Sequence, residues 1–334
     1  MTTITAGAVT PVGGAFATNP AYSGTFIPTL WSAKLNAKFY AASTFADICN
    51  RDWEGEISGL GDKVLIPQIP NITIDDYVVG GNLNYQVPAM TPVELQIDRA
   101  KKYGFAVSDV LAHQSKIDLM DTFSNDASEQ MRTVIDSTCL YRVFNQGAAA
   151  NRGATAGVKT GAYNLGTDTA AIALTSSNVL QKILEMAAVL DEQNVPESDR
   201  WLLLDPFTRT LLMQSNLAQA QYMGDDKSPV RNGLIGSIDR FKVYVTNQLP
   251  RNATGSSTPW VSGDGSESSV TTSGTIDAKR ILLAGHRSAI TFASQIVKTE
   301  QLRNPTDFGD VVRGLQVFGH KVVKPEALTL CIVK

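Results

Sequence analysis

Apolar and polar residues alternate along a long stretch in the first third of the chain. Residues 63–67 predict a short strand that Pro67 ends. From 93 to 107 the odd positions are apolar, except for Arg99 and Lys101, and the even positions carry the polar residues Glu94, Gln96, Asp98 and Lys102. The apolar positions are Val93, Leu95, Ile97, Tyr103, Phe105 and Val107. This period of two predicts one continuous strand, roughly 50 Å long, that projects beyond its own domain.

The segment between these two strands is rich in turn-forming residues. Gly80 and Gly81 supply the freedom that a turn needs, and Pro88 and Pro92 discourage stray edge pairing. The pattern predicts a long two-stranded ribbon. Because such a ribbon is barely stable alone in water, we expect it to lie on a partner. On this interpretation Ile97→Asp abolishes association and leaves the subunit soluble.

Helical spacing follows the ribbon. Over residues 115–146 apolar side chains recur every three or four positions, at Ile117, Met120, Phe123, Ala127, Met131 and Val134. Ser115 can cap the start and Gly147 lies just past the end. The pattern predicts one helix about 45 Å long. A second helix is predicted over 177–194, before Pro196.

An amphipathic stretch over 27–40 has Ile27, Trp31, Leu35 and Phe39 on one helical face. It follows a Thr-, Ala- and Gly-rich leader, which reads as extended or disordered. The spacing leaves two interpretations equally open. The helix packs on its own core, or it is an arm that docks on a neighbour.

The rest of the chain mixes helix and strand. Strands are predicted at 201–204, 241–245, 280–284, 289–297 and 311–333, and a short helix at 207–215. Residues 251–278 are rich in Ser, Thr and Gly and predict an exposed loop. A ribbon, a long helix and then mixed elements predict the α+β class.

Composition narrows the classes of function. Charged residues make up 18%, below the average of about 25%, which suggests that partners cover much of the surface. The net charge is −3 and no Lys/Arg run occurs, so nothing predicts a strong grip on nucleic acid. Cys49, Cys139 and Cys331 have no C-x-x-C spacing and are expected to be buried reduced thiols. No signal peptide or apolar span is visible, so we expect a cytoplasmic protein.

The sequence contains no complete motif for catalysis, for cofactor binding or for metal binding. Residues 153–160 resemble a phosphate loop, but Val158 separates Gly157 from Lys159. His113, His286 and His320 show no metal-ligand spacing, and we expect ordinary polar contacts for them. Ser288 lacks the nucleophile elbow, the pairs Asp75–Asp76 and Asp225–Asp226 read as solvated loop charge, and residues 263–267 lack the calcium-loop rhythm. We therefore expect no enzyme, no cofactor and no metal.

Several local strings, in their order, carry a resemblance. Near the start stand Phe26-Ile27-Pro28, then residues 50–57 (NRDWEGEI) and 61–64 (GDKV). Later come 233–236 (GLIG), 241–244 (FKVY), 247–250 (NQLP), the pairs 309–310 (GD) and 313–314 (RG), and 324–328 (KPEAL). From about residue 26 onward the chain resembles major capsid proteins of tailed bacteriophages, which have the Hong Kong 97-like fold. Arg240 stands where that family often has glycine.

The resemblance implies a domain plan. The expected parts are an N-terminal arm (1–58), an E-loop ribbon (59–110), a P-domain (111–195) with a spine helix over 115–146, an A-domain (196–290) and closing strands (291–334) that return through the P-domain to the A-domain.

It also implies a function. The chain would self-assemble as hexamers and pentamers into the icosahedral head around double-stranded DNA, with only weak non-specific DNA contact. Expected partners are a portal protein, a decoration protein and a separate scaffolding protein. The scaffolding protein is expected because no long domain precedes the arm. The virion would assemble in the host cytoplasm. The shell of an encapsulin-like compartment is the alternative.

Overall fold

The structure is a computed structural model. It describes residues 43–53, 61–77, 79–80, 82, 85–108, 119–215, 236–252, 260–264, 279–304 and 308–334. All of these residues belong to the compact unit Ala37–Lys334. The amphipathic stretch at 27–40, His113, the start of the long helix at 115–118 and Asp225–Asp226 lie outside the described residues.

The described helices and strands confirm an α+β chain. The α-helices are α1 (Phe45–Ile48), α2 (Leu119–Val143), α3 (Val179–Glu192) and α4 (Pro206–Met213). The strands are β1 (Lys63–Pro67), β2 (Pro92–Gln96), β3 (Arg99–Ser108), β4 (Arg200–Leu204), β5 (Ser237–Ile238), β6 (Phe241–Val245), β7 (Arg251–Asn252), β8 (Trp260–Val261), β9 (Arg280–His286), β10 (Ile290–Arg303), β11 (Gly309–Val322) and β12 (Leu328–Val333).

The main core lies around a five-stranded sheet with the order β12-β9-β4-β6-β5. Strand β4 runs parallel to β6, and the other neighbouring pairs are antiparallel. Every residue of β4 and β12 is buried, as expected for apolar strands that are covered on both faces. Helix α3 packs against β12 through its buried apolar side, which includes Ile183 and Met186.

A second sheet of three strands has the order β10-β11-β3. Its two long strands, β10 and β11, form an antiparallel pair with a bulge between Ile296 and Lys298. Helix α2 contacts β3 and β11. The first half of α2 is largely exposed, whereas the residues from Ile135 to Leu140 are all buried.

Helix α2 ends at Val143, three residues before the predicted end at Gln146. Phe144 N–H still donates to the Leu140 carbonyl, but Gln146 N–H donates to the Val143 carbonyl, so the last turn tightens. Gly147 then passes the backbone of β12: a Cβ there would lie 3.0 Å from the Leu328 carbonyl oxygen.

The prediction of one continuous strand over 93–107 is wrong. The alternation of buried and exposed positions holds throughout, but the pairing partner changes at Ile97–Asp98. Ile97 N–H donates to the Asp62 carbonyl and Gly61 N–H donates to the Ile97 carbonyl. Strand β2 therefore belongs to a short hairpin with β1, and β3 belongs to the sheet with β11.

Three further boundaries differ from the prediction. Strand β10 continues to Arg303, and the region 311–333 divides into β11 and β12 around the turn Pro325–Ala327. Where the sequence predicts an exposed loop over 251–278, β7 and β8 pair, and Trp260 is buried with its indole N–H donating to Asp168.

Candidate assembly surface

The hairpin of β1 and β2, called here the ribbon base, is fixed to the subunit. Its five residue pairs run from Lys63 opposite Gln96 to Pro67 opposite Pro92. Ile66, Leu95 and Ile97 are buried in a small apolar cluster, whose other members are Ala293, Val317 and Val323. The ribbon base is therefore part of the subunit's own core.

This burial overturns one expectation from the sequence. Ile97 is 1% exposed, so Ile97→Asp would place a carboxylate inside the folded subunit. The expectation that this change spares the subunit is wrong, because Ile97 belongs to the anchored base and not to a free arm.

The chain between the two strands, residues 68–91, is called here the ribbon tip. Among its described residues, eight large apolar side chains are exposed: Ile69, Ile72, Ile74, Tyr77, Val79, Tyr85, Val87 and Met90. Ile74 and Val87 are each 94% exposed. The two sides stay together at Thr73 and Gln86, where the Gln86 amide accepts from Thr73 N–H (3.0 Å) and donates to the Thr73 carbonyl (3.1 Å). An apolar concentration of this kind on a soluble chain is typical of a protein interaction site.

The charges of the ribbon tip are all negative. Asp75 and Asp76 are its only charged residues, and it contains no Lys or Arg. Both carboxylates are exposed. A partner surface for the tip should therefore combine apolar area with positive charge.

A groove of about 390 Å³ lies between helix α2 and strand β3, and is called here the β3 groove. Phe105 of β3 and Phe123 of α2 meet edge to face in it, with ring centroids 5.8 Å apart. Met131 and Val134 extend the apolar wall, and Lys101 lies in the lining beside them. Strand β3 is an edge strand: in the part of the chain that the structure describes, only β11 pairs with it.

His320 lines a second groove, of about 670 Å³, beside the ribbon base. Burial, together with the nearby Arg99, lowers the pKa of His320 to about 4. Its ring meets Phe45 edge to face, and its Nδ1 is buried without a hydrogen-bond partner. The expected polar contact at Nδ1 is therefore absent. His286 does make one: its Nδ1 accepts from the Ser288 N–H at 3.1 Å.

The stretch that resembles a phosphate loop already holds an anion from its own chain. The Glu192 carboxylate accepts from the backbone N–H groups of Lys159 (2.8 Å) and Thr160 (3.3 Å), and from the Thr160 hydroxyl (2.8 Å). These donors lower the pKa of Glu192. A carboxylate at the end of α3 thus occupies the position where a phosphate would sit.

The other candidates have structural partners. Asp264, in the calcium-like stretch, accepts from the hydroxyls of Ser137 and Ser262, while 265–267 lie outside the described residues. Cys49, Cys139 and Cys331 are buried, as predicted, and form no disulfide bond, and burial raises the pKa of Cys331 to about 12. Among the described residues, no group of three or more His, Cys, Asp and Glu side chains could hold a metal ion. Within those ranges no helix has the length and hydropathy to cross a membrane.

A family model of phage capsid proteins matches residues 93–330, which is more than two thirds of the chain. The chain belongs to the phage capsid protein family. The match contains all three strands of the sheet β10-β11-β3 and most of the five-stranded sheet. The expected resemblance is confirmed: this is a major capsid protein that forms the head shell, and its role is structural.

Solved structures confirm the Hong Kong 97-like fold of this capsid protein. It is similar to a structure of Mycobacterium phage Che8, with 24% identity over 93% of this chain and 98% of that chain and a TM-score of 0.69. The capsid of Cyanophage P-SCSP1u has 17% identity, 93% coverage of both chains and a TM-score of 0.67. The mature capsid of bacteriophage PhiM1 has 13% identity, 96% and 97% coverage and a TM-score of 0.62. No curated protein sequence matched the capsid protein.

Sequence reasoning located the ribbon of this capsid protein but missed the β3 groove. The groove needs β3 to pair with β11, about 200 residues later, and no local pattern carries that information. The signal that could have been read is the tip itself, because eight apolar residues in a segment without regular alternation have no buried face of their own.

Proposed function

We propose that this major capsid protein assembles as hexamers and pentamers into the closed icosahedral head of a tailed bacteriophage, around double-stranded DNA. The observation that carries the proposal is the exposed apolar ribbon tip on a buried ribbon base. The free energy of such a subunit falls when another copy covers the tip, so association is favoured.

The driving force is the burial of apolar surface. Each large side chain of the tip can contribute up to about 2 kcal/mol when a neighbour covers it fully. Ordering the tip on the partner costs part of that gain. Modest contacts of this size become strong when closed symmetry repeats them at every subunit.

The domain plan belongs to the same proposal: an N-terminal arm (1–58), an E-loop ribbon (59–110), a P-domain (111–195), an A-domain (196–290) and closing strands (291–334). The elements support it in two places. Helix α2 lies on the three-stranded sheet, and β12 belongs to the five-stranded sheet. Strand β3, the last part of the proposed E-loop range, pairs with the closing strand β11 and so lies in the same sheet as that strand.

The proposed partners are a scaffolding protein, a portal protein and a decoration protein, with assembly in the host cytoplasm. Contact with DNA is weak and non-specific, because the chain carries a net charge of −3 and no basic run. The protein is not an enzyme, since the polar clusters of the described residues serve the fold, as Glu192 does at Lys159 and Thr160.

The test is negative-stain electron microscopy of the full chain, expressed with and without the gene upstream of it. We expect uniform closed shells of tens of nanometres, and dependence on the upstream gene would identify a scaffolding protein. A strictly monomeric chain under both conditions would contradict the proposal. If the gene for this chain lies beside a gene for an enzyme cargo, rather than beside portal and terminase genes, the shell would be a cellular compartment and not a virus head.

A further inference from the structure

We propose that this capsid protein binds a free nucleotide, a phosphate ester with a planar aromatic base, in a pocket at one edge of its five-stranded sheet. The pocket has a volume of about 470 Å³ and is called here the sheet-edge pocket. Its lining residues come from three segments of the chain, 205–207, 246–251 and 279–281. The inference concerns a ligand of the single subunit and does not depend on how subunits assemble.

Strand topology brings the three segments of the sheet-edge pocket together. Strands β4 and β6 are parallel neighbours with Leu204 opposite Val245, so the chain leaves both strands at the same edge of the sheet. There the Thr246 N–H donates to the Leu204 carbonyl at 3.0 Å. Strand β9 is antiparallel to β4 and begins at Arg280, so its first residue lies at this edge too. Sheets with parallel strands commonly bind their ligands just outside the carboxyl ends of those strands.

The charge of the pocket favours an anion. Its described lining contains three cations, Arg251, Lys279 and Arg280, and one carboxylate, Asp205. Asp205 is already engaged, because its Oδ1 caps α4 by accepting from the Thr208 N–H at 3.1 Å and its Oδ2 lies 3.0 Å from the Arg280 Nε. Three cations against one carboxylate give the lining a net charge of +2. A concave surface with this excess of one sign attracts ligands of the opposite sign.

Arg280 is held in an orientation that suits a phosphate. Asp205 contacts the guanidinium at Nε, and the guanidinium carbon lies 4.0 Å from the centre of the Phe207 ring. The side chain of Arg280 is still 30% exposed. A guanidinium carries five N–H donors in a rigid fork, so the contact at Nε leaves donors for a phosphate. Because the ion pair and the ring already fix the group, a ligand loses little affinity to the ordering of this side chain.

The pocket also offers an aromatic surface for a base. Phe207 remains 45% exposed although Arg280 lies over its ring. Buried apolar residues form the wall behind it: Leu249, Pro250 and Ile281. An aromatic ring beside cations can stack on a base while the cations bind its phosphates. In a DNA duplex each base is already stacked between its neighbours, so the ring fits a free nucleotide better than a double helix. The volume also lies in the range of small-molecule sites, roughly 300–1,000 Å³.

The test is the binding of adenosine diphosphate to the purified full chain, measured by isothermal titration calorimetry. Pyrophosphate, adenosine and a short DNA duplex are the comparison probes. We expect adenosine diphosphate to bind more tightly than pyrophosphate or adenosine, because each of these lacks one half of the ligand.

Two variants separate the charge of the pocket from its ring. Lys279→Gln should weaken the binding of adenosine diphosphate about tenfold. Phe207→Leu should weaken it at least about threefold, and should affect pyrophosphate less, because pyrophosphate has no base to stack. Lys242→Gln, at an exposed lysine near the opposite end of β6, is the matched control and should bind as the wild type does. Circular dichroism verifies that each variant is folded.

Three results would overturn this inference and leave the proposed function standing. The first is a wild type that shows no saturable binding of adenosine diphosphate at millimolar concentration. The second is equal affinity for adenosine diphosphate in the wild type and in both pocket variants. The third is a DNA duplex that binds, with sensitivity to Lys279→Gln, where adenosine diphosphate does not, since the pocket would then serve the DNA backbone.

Discussion

The carboxylate of Asp136, in the middle of α2, accepts a hydrogen bond from the backbone N–H of Thr44, with 2.6 Å between the two heavy atoms. The same oxygen lies 3.3 Å from the Phe45 nitrogen, and the other oxygen accepts from the Ser43 hydroxyl. One side chain of the long helix therefore holds the start of α1. Phe45 and Ile48 of α1 are then fixed in the main core.

Replacing Asp136 separates hydrogen bonding from charge. Asp136→Ala should lower the free energy of unfolding by about 2–4 kcal/mol, because it leaves two buried N–H groups without an acceptor. Asp136→Asn keeps an acceptor oxygen and should cost about 1 kcal/mol. Urea unfolding at neutral pH measures both values. Equal losses for the two variants would contradict the role of Asp136 as an acceptor.

The pKa of Asp136 gives a second measurement. Burial raises this pKa above its ordinary value of 3.8, although the three hydrogen bonds act in the opposite direction. An acid with a raised folded-state pKa stabilises the fold less as the pH rises from the unfolded to the folded pKa. Asp136→Asn should therefore become more stable relative to the wild type as the pH rises above about 4. A stability deficit of Asp136→Asn that grows over that range would contradict the shift.

His320 should make the fold sensitive to mild acid. Its pKa is about 4 in the folded subunit, because of burial and the charge of Arg99, against 6.5 when unfolded. A base with a lowered folded-state pKa stabilises the fold fully above 6.5, and that contribution is lost as the pH falls toward 4, by up to about 3 kcal/mol. Asp98, Arg142 and Lys321 also act on the ring. His320→Phe should flatten the curve of unfolding free energy against pH between 6.5 and 4, and an unchanged slope would contradict the assignment.

The ribbon base and tip should respond differently to the same substitution. Ile97→Asp should cost more than about 4 kcal/mol and give insoluble protein, because the carboxylate is buried without a partner. Ile74→Asp, at a residue 94% exposed, should change stability by less than about 0.5 kcal/mol and still prevent shells. Soluble yield, circular dichroism and electron microscopy distinguish the two. A soluble, folded Ile97→Asp subunit would contradict the anchored base.

Two strand glycines form a matched pair. A Cβ at Gly319 would lie 2.4 Å from the Gln96 carbonyl oxygen and 2.8 Å from Ile97, whereas a Cβ at Gly104 would meet the Val312 oxygen at an ordinary 3.7 Å. Gly319→Ala should therefore cost about 1–3 kcal/mol, as overpacking does, and loosen the ribbon base. Gly104→Ala should be close to neutral. Thermal unfolding of both variants measures the difference, and equal stabilities would contradict the close approach of Gly319 to Gln96.

Glu192→Ala should open the backbone site around Lys159 and Thr160. The variant should have a lower Tm than the wild type, and millimolar phosphate should raise the Tm of the variant more than that of the wild type. The contribution of Glu192 is present above its ordinary pKa of 4.5 and is lost as the pH falls through its lowered folded value. No effect of phosphate on the variant would show that the donors do not form an anion site.

The sequence predicted those features that depend on neighbouring residues. The alternation from Val93 to Val107 correctly identified which side chains face inward, since burial follows it residue by residue. The spacing of α2 and the apolar run of β4 were equally local signals.

Features that depend on distant residues could not be read in this way. The break at Ile97 leaves the alternation unchanged, so only the identity of the pairing strand reveals it. Trp260 is buried although the sequence around it is polar. Its indole N–H binds Asp168, which lies 92 residues away along the chain, so no local pattern reveals the contact. The β3 groove, and with it half of the candidate assembly surface, follows from the same kind of long-range pairing.

Strand β11 touches both halves of that surface, since it pairs with β3 along its length and meets the ribbon base at Gly319. The direction in which the ribbon leaves the subunit is therefore set relative to the groove by one continuous strand. The direction in which one subunit can reach toward another is then already present in the isolated chain, before any two copies meet.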